Sequence, residues 1–151
     1  MSTITRSITI DAPVDRVFDT VAHIESFSEA VPAIEDVEFL SEQHRGVGTR
    51  FKETRKVNGR TGSTVLEVTE YVENEKVRIV SDAGGTIWDT VFTTRPVDGG
   101  TELGMVMDAR PHTIVARITT PMIKGMVAKG IVSDLDAVKD HCEGSAPGSG
   151  N

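Results

Sequence analysis

"TTPMIKGMVAKGIVSDLDAVKDHCEG", residues 119–144, carries Met122, Met126, Ile131, Leu135 and Val138 as its spaced apolar positions, with Pro121 near its start and Gly144 behind its end. A proline suits the first turn of a helix, where its missing N–H has no partner to lose, and a glycine suits the position past the end. The pattern predicts one long C-terminal helix that begins between residues 113 and 120 and ends at 143. Gly125 and Gly130 weaken its first half by roughly 1 kcal/mol each relative to alanine. The last stretch, GSAPGSGN (144–151), reads as a disordered tail.

Upstream, from about residue 34 to 110, the punctuation is that of a meander. Turn candidates fall at SEQHRGVG (41–48), NGRTG (58–62), ENEK (73–76), DAGG (82–85) and VDGG (97–100). Asn58-Gly59 is the strongest hairpin signal among them. Between them lie the β-rich runs IEDVEFL, TRFKETRKV, STVLEVTEYV, VRIVS, TIWDTVFTTR and TELGMVMDAR. TITRSITI (3–10) alternates with Ile4, Ile8 and Ile10 in one register and adds a first strand. DAPVDRVFDTVA (11–22) then changes period: Val14, Val17, Phe18 and Val21 follow helical spacing behind Pro13 and Asp15. A second short helix covers Ile24 to Ala30 and is stopped by Pro32. The result is an α+β chain: a seven-stranded antiparallel sheet, two short helices between strands 1 and 2, and one long helix to cover the sheet. One domain spans 1–143, without internal repeats.

Composition excludes several function classes. The formal net charge is −7, which disfavours nucleic acid or an anionic membrane as a partner of the whole chain. The basic cluster Arg50, Lys52, Arg55, Lys56 and Arg60 contains only Phe51 as an aromatic, so the stacking platform of a single-strand binder is missing. The single cysteine, Cys142, forms no internal disulfide, and beside His141 it reads as an exposed or edge thiol. His23, His44, His112 and His141 stand singly without metal-ligand spacing, so no metal or other cofactor is expected. The glycine-rich DAGGT and DGGTE fit hairpin turns and carry no P-loop lysine. No apolar run approaches membrane-spanning length and no signal-peptide core is present, so the expected setting is cytoplasmic, with no integral membrane association.

Chemistry collects instead on the inner registers of the strands. In GTRFKETRKV (48–57), Arg50, Lys52 and Lys56 form a solvated face, while Glu53 and Arg55 share the register of Phe51. A buried unpaired charge costs several kcal/mol, so the two must pair with each other, with water or with a ligand's polar end. Inward sets elsewhere are Thr64, Leu66 and Val68; Trp88, Thr90, Phe92 and Thr94; and Leu103, Met105, Met107 and Ala109, with Glu67 and Tyr71 outside. Met105, Met107, Met122 and Met126 are four of the five methionines, soft side chains that fill core gaps or line a wall able to accept a guest.

Assembled in this order, the chain resembles the polyketide cyclase/dehydrase and lipid-transport group of the START/Bet v 1-like (SRPBCC) superfamily. The resemblance rests on IDAPVDRVFDTVAHIESFSEAVPAIEDVEFL, VGTRF, GGTEL and the terminal LDAVKDHCE, and covers about 1–143. It implies a helix-grip fold, a curved sheet wrapped around the long helix with a deep apolar cavity between them. The group uses that cavity for lipids, polyketides, sterols, quinones and other hydrophobic molecules, and only some members are enzymes. It has no shared catalytic constellation, so no catalytic residue is carried over.

The expected function is binding or transport of a hydrophobic small molecule by a monomer or homodimer. The expected ligand-binding residues are Phe51, Glu53, Arg55, Leu66, Val68, Trp88, Thr90, Phe92, Met105, Met107, His112, Met122 and Met126. His112 joins them because the strand–helix junction lies near a cavity mouth in such a fold. The alternative is a cyclase or dehydratase with Glu53 as the acid/base group.

Overall fold

The computed structural model describes residues 2–57 and 59–144. The chain runs β1 (Ser2–Ile10), α1 (Val14–Ala22), α2 (Ile24–Ala30), β2 (Ile34–Phe39), β3 (Arg50–Val57), β4 (Arg60–Val72), β5 (Lys76–Ala83), β6 (Thr86–Val97), β7 (Gly100–Pro111) and α3 (Ile114–Gly144). The strands form one curved antiparallel sheet in the order β1-β7-β6-β5-β4-β3-β2, and the architecture is the helix-grip fold. Only the placement of β1 beside β7 departs from a pure meander; it brings the first strand against the last and closes the sheet's curl over α3.

The cross-strand register fixes which side chains face α3. Ile4 lies opposite Met107, Met107 opposite Thr90, Thr90 opposite Ile79, and Ile79 opposite Val68. On β3, Phe51 faces Leu66 and Glu53 faces Thr64, so Glu53 and Arg55 do take the inner register. Arg50 and Lys52 sit on the outer face and pair across strands with Glu67 and Glu38, at 3.6 and 3.3 Å. The two-residue loop closing β3–β4 has Gly59 at φ 78°, as a tight hairpin requires; Asn58 lies outside the described residues.

One register expectation fails. Tyr71, expected outside, packs inside: its ring meets Phe18 edge-on at 5.4 Å and stacks on His23 at 5.9 Å. The cause is a β-bulge between Val68 and Glu70, whose extra residue flips the side-chain alternation for the rest of β4.

Helices α1 and α2 close one end of the curl. Val17, Phe18 and Val21 of α1 are buried, and Phe18 joins Ala22, Val68 and Val77 in a compact cluster. Helix α3 enters at the opposite end. Its Thr120 hydroxyl bonds the Thr86 hydroxyl at 2.7 Å, and His112 donates its backbone N–H to Gly85 O at 2.8 Å. At its far end, Glu143 accepts the Asp11 N–H at 2.9 Å and Lys139 donates to Thr9 O at 3.2 Å. The buried side of α3 is Ala116, Thr120, Ile131, Leu135, Val138 and Cys142.

That register corrects three further expectations. Met122 and Met126 are 77% and 58% exposed. Met122 lies nine residues before Ile131, half a turn out of phase at 3.6 residues per turn, and Met126 lies five before it, about 140° away, so both point away from the buried side. Pro121 lies inside the helix rather than in its first turn, and Gly144 is its last residue; 145–151 lie outside the described residues. Cys142 is fully buried rather than exposed, with its Sγ 3.4 Å from the Thr20 hydroxyl, and burial raises its thiol pKa.

The outer face carries a charge network. Asp89 is buried beneath Arg78, which grips both its carboxylate oxygens, and Arg110, 3.1 Å away; Arg78 also reaches Glu70 at 2.6 Å. Hydrogen bonds from Arg78 hold the Asp89 carboxyl below its ordinary range. The helix register has a measurable consequence. Leu135→Ala should cost about 2–5 kcal/mol in urea unfolding, and Met122→Ala less than about 0.5 kcal/mol; the opposite order would reverse the assigned faces of α3.

Candidate functional site

The main packing partners of α3 are β1, β7, α1 and α2. The helix thus lies toward one side of the curl, and the inner faces of β3 to β6 form the opposite wall. A densely packed sheet–helix interior leaves such inward side chains buried. Here Leu66, Ile79, Trp88, Thr90, Phe92 and Met107 all keep part of their surface accessible, although each sits in the inner register. They form an apolar wall, with the Thr90 hydroxyl as a polar point and the Trp88 indole N–H directed to Ala83 O at 3.4 Å.

At the β3 edge of this wall stands the polar group that the alternation of GTRFKETRKV announces. Arg55 Nε donates to Glu53 Oε2 at 2.6 Å, and both terminal nitrogens reach Asp134 on α3, each at 3.0 Å. The side chains are 11% (Glu53), 28% (Arg55) and 19% (Asp134) exposed. Burial alone would lower the guanidinium pKa, but hydrogen bonds and charge from Asp134 and Glu53 outweigh it and raise it. Two carboxylates on one guanidinium leave a formal charge of −1, and the fork geometry ties β3 to the middle of α3.

The other expected site residues divide by environment. Phe51, Val68 and Met105 face inward but are buried to within 3% of completely and serve as core. Phe51 and Met105 join the main cluster, and Val68 lies under Phe18. His112 is exposed at the β7–α3 junction, its Nε2 2.9 Å from Asp82 Oδ1. Met122 and Met126, on the outward side of α3, do not reach the interior. Three contributors escaped the sequence reading. Ile79 lies opposite Thr90, and Tyr71 was hidden by the bulge. Asp134 had a usable signal: three residues after Ile131 and four before Val138, it sits on the buried side of a helix that the sequence already predicts.

A concavity of about 790 Å³ opens outside the α1–α2 end and is lined by Asp15, Asp19, His23, Glu29, Arg45, Tyr71 and Glu73 among others. His23 is 5% exposed; its Nε2 lies 3.2 Å from Asp19 Oδ1, while Nδ1 is buried without a partner. Burial first, and then the Arg45 charge, lower the His23 pKa against the opposing pull of Asp19, Glu25 and Glu73. A neutral ring that donates from Nε2 leaves only a lone pair unsatisfied at Nδ1. Among the described residues no group of three or more His, Cys, Asp or Glu side chains is placed to hold a metal ion.

The family model described as polyketide cyclase / dehydrase and lipid transport matches residues 1–143. The chain belongs to that family. Among solved structures similar to this one, TTHA0849 from Thermus thermophilus is 16% identical with a TM-score of 0.78, over 96% of this chain and 99% of that one. A START superfamily protein from Mycobacterium smegmatis is 16% identical with a TM-score of 0.76, over 93% and 97%. The di-domain ARO/CYC BexL from the BE-7585A biosynthetic pathway is 14% identical with a TM-score of 0.78; 94% of this chain covers 50% of that one. At such identities the likeness is one of fold. No curated protein matches the chain.

Two measurements follow from these side chains. Arg55→Met strands two mostly buried carboxylates and should cost about 1–3 kcal/mol, whereas adding Glu53→Gln and Asp134→Asn to it should recover most of the loss; urea unfolding of the set reads the coupling. His23 has its folded pKa below the unfolded value of 6.5, so its contribution to stability is complete above pH 6.5 and is lost as pH falls through the folded pKa. His23→Phe should therefore flatten the acid side of the stability profile in that window, and an unchanged slope would remove His23 as its source.

Proposed function

We propose that the chain binds a hydrophobic small molecule between α3 and the inner wall of β3 to β6, for sequestration or transport. One observation carries the reading: Leu66, Ile79, Trp88, Thr90, Phe92 and Met107 face the helix yet remain partly accessible, as the wall of a guest site would. Family membership supports it, because the family's description names lipid transport beside cyclisation and dehydration. The Glu53–Arg55–Asp134 group sits at the edge of the wall, where it suits a guest with an apolar body and a hydroxyl or other donor at one end.

The same surroundings weigh against a general base at Glu53. Its Oε2 already accepts from Arg55 at 2.6 Å, and taking a substrate proton there disturbs a pair that also anchors α3. We therefore favour binding over turnover.

Trp88 is the only tryptophan, so its fluorescence reports on the wall directly. Titration with fluorescent fatty acids, sterols and flat aromatic compounds should quench or shift Trp88 emission with saturable, competable binding. Leu66→Trp or Thr90→Phe should weaken that binding about tenfold or more by filling the wall. No displaceable ligand across the panel would overturn the proposal. Glu53→Gln should shift affinity for guests carrying a donor group more than for plain hydrocarbons; loss of a catalysed conversion with binding intact would favour the cyclase or dehydratase reading instead.

A further inference from the structure

A helix packed on a sheet normally turns its polar side outward. The second half of α3 does so, with Asp136 and Asp140 exposed opposite Leu135 and Val138. In the first half the outward side is apolar instead. Ile114, Val115, Ile118, Met122 and Met126 are between 58% and 79% exposed. At helical spacing, with Pro121 and Gly125 between them, they form one apolar stripe roughly 18 Å long at 1.5 Å per residue.

The charges beside the stripe have one sign. Arg117 and Lys124, seven residues apart, follow one flank, and Lys129 continues the stripe toward the middle of the helix. From His112 to Ser133 there is no aspartate or glutamate, in a chain whose formal net charge is −7. Among the described residues, none of these three cations forms an ion pair with a carboxylate. The stripe also lies at the end of the fold opposite α1 and α2, where the β3–β4 hairpin adds exposed Lys56 and Arg60.

We propose that this face of α3 docks on an anionic lipid surface, with the helix lying in the interface plane and the end of the fold opposite α1 and α2 turned toward the lipid. That the docked state loads or unloads a guest rests on the ligand-binding reading above; the docking itself does not. Aliphatic side chains on one side and cations along its flank are the pattern of a helix that lies in a bilayer interface. At a screening length of about 8 Å the local cations meet the surface while most of the chain's negative charge is screened from it. A second copy fits the face poorly, because a symmetric contact would bring like cations together with no acidic residue from the segment to balance them.

The test is co-sedimentation of the full chain with vesicles of phosphatidylcholine alone, or of an equal mixture with phosphatidylglycerol, at low and high salt. The wild-type chain should bind the anionic vesicles about tenfold or more tightly than the neutral ones, and lose most of that preference at high salt. Ile118→Ser with Met122→Ser should abolish binding while leaving urea unfolding and Trp88 ligand titrations unchanged. Arg117→Glu with Lys124→Glu should remove the preference for anionic lipid. No binding to either vesicle, or binding that survives the serine pair, overturns the proposal. So does a wild-type dimer that the serine pair converts to monomer, or retention on immobilised polyglutamate as strong as on vesicles, which would assign the face to an acidic protein. If vesicle binding holds while Trp88 titrations find no ligand, the docking face stands and the guest site falls; the converse removes the docking face alone.

Discussion

The guanidinium of Arg55, held between Glu53 on its own strand and Asp134 on α3, is the constraint on which the interior depends. The backbone of α3 follows β1 and β7, and hydrophobic packing secures it there through Ile131, Leu135 and Val138. Across the curl, β3 meets the same helix through this ionic strut. Hydrophobic contact is non-directional and would draw the two walls together. A bidentate ion pair has a defined length and geometry, so it can hold β3 and α3 apart while still joining them. Three ionisable groups at the edge of an otherwise apolar wall thus act as a spacer between strand and helix.

The two ends of the curl differ in how they are finished. At one end α1 presses Phe18 into Val68 and Val77, and α2 brings Phe27 to 6.1 Å from Phe92. That end is plugged by aromatic and branched side chains. The other end is bounded by hairpins, by the His112–Asp82 contact and by the first turns of α3, whose apolar residues remain outside. The apolar outward face of α3 therefore belongs to that end and stops at Met126, about two turns before Asp134. Both halves of the helix bury one side, and what divides them is the outward side, apolar in the first half and acidic in the second.

Much of this was legible in the sequence because the signals were local. Strand alternation, glycine-containing turns and the change of period at DAPVDRVFDTVA determined the element order. The register of Phe51 placed Glu53 and Arg55 inside before any partner was known. What failed was long-range phase. Met122 and Met126 look like core in a helix read residue by residue, yet Met122 is half a turn out of phase with Ile131 and Met126 about 140°. An extra residue at the Val68/Glu70 bulge brought Tyr71 inward, and period-2 reasoning has no means of detecting it. Asp134 was readable as a buried-side acid, but its role needed Arg55 to be brought to it from 79 residues away.

We propose that an apolar guest sits between α3 and the β3–β6 wall. A crystal structure of the protein as purified, with no ligand added, tests this most directly. Continuous density is expected against Leu66, Ile79, Trp88 and Phe92, with a polar end near Glu53, Arg55 and Asp134 or Thr90. A wall closed over by its own side chains, with Trp88 and Met107 filling the space against α3, would contradict it.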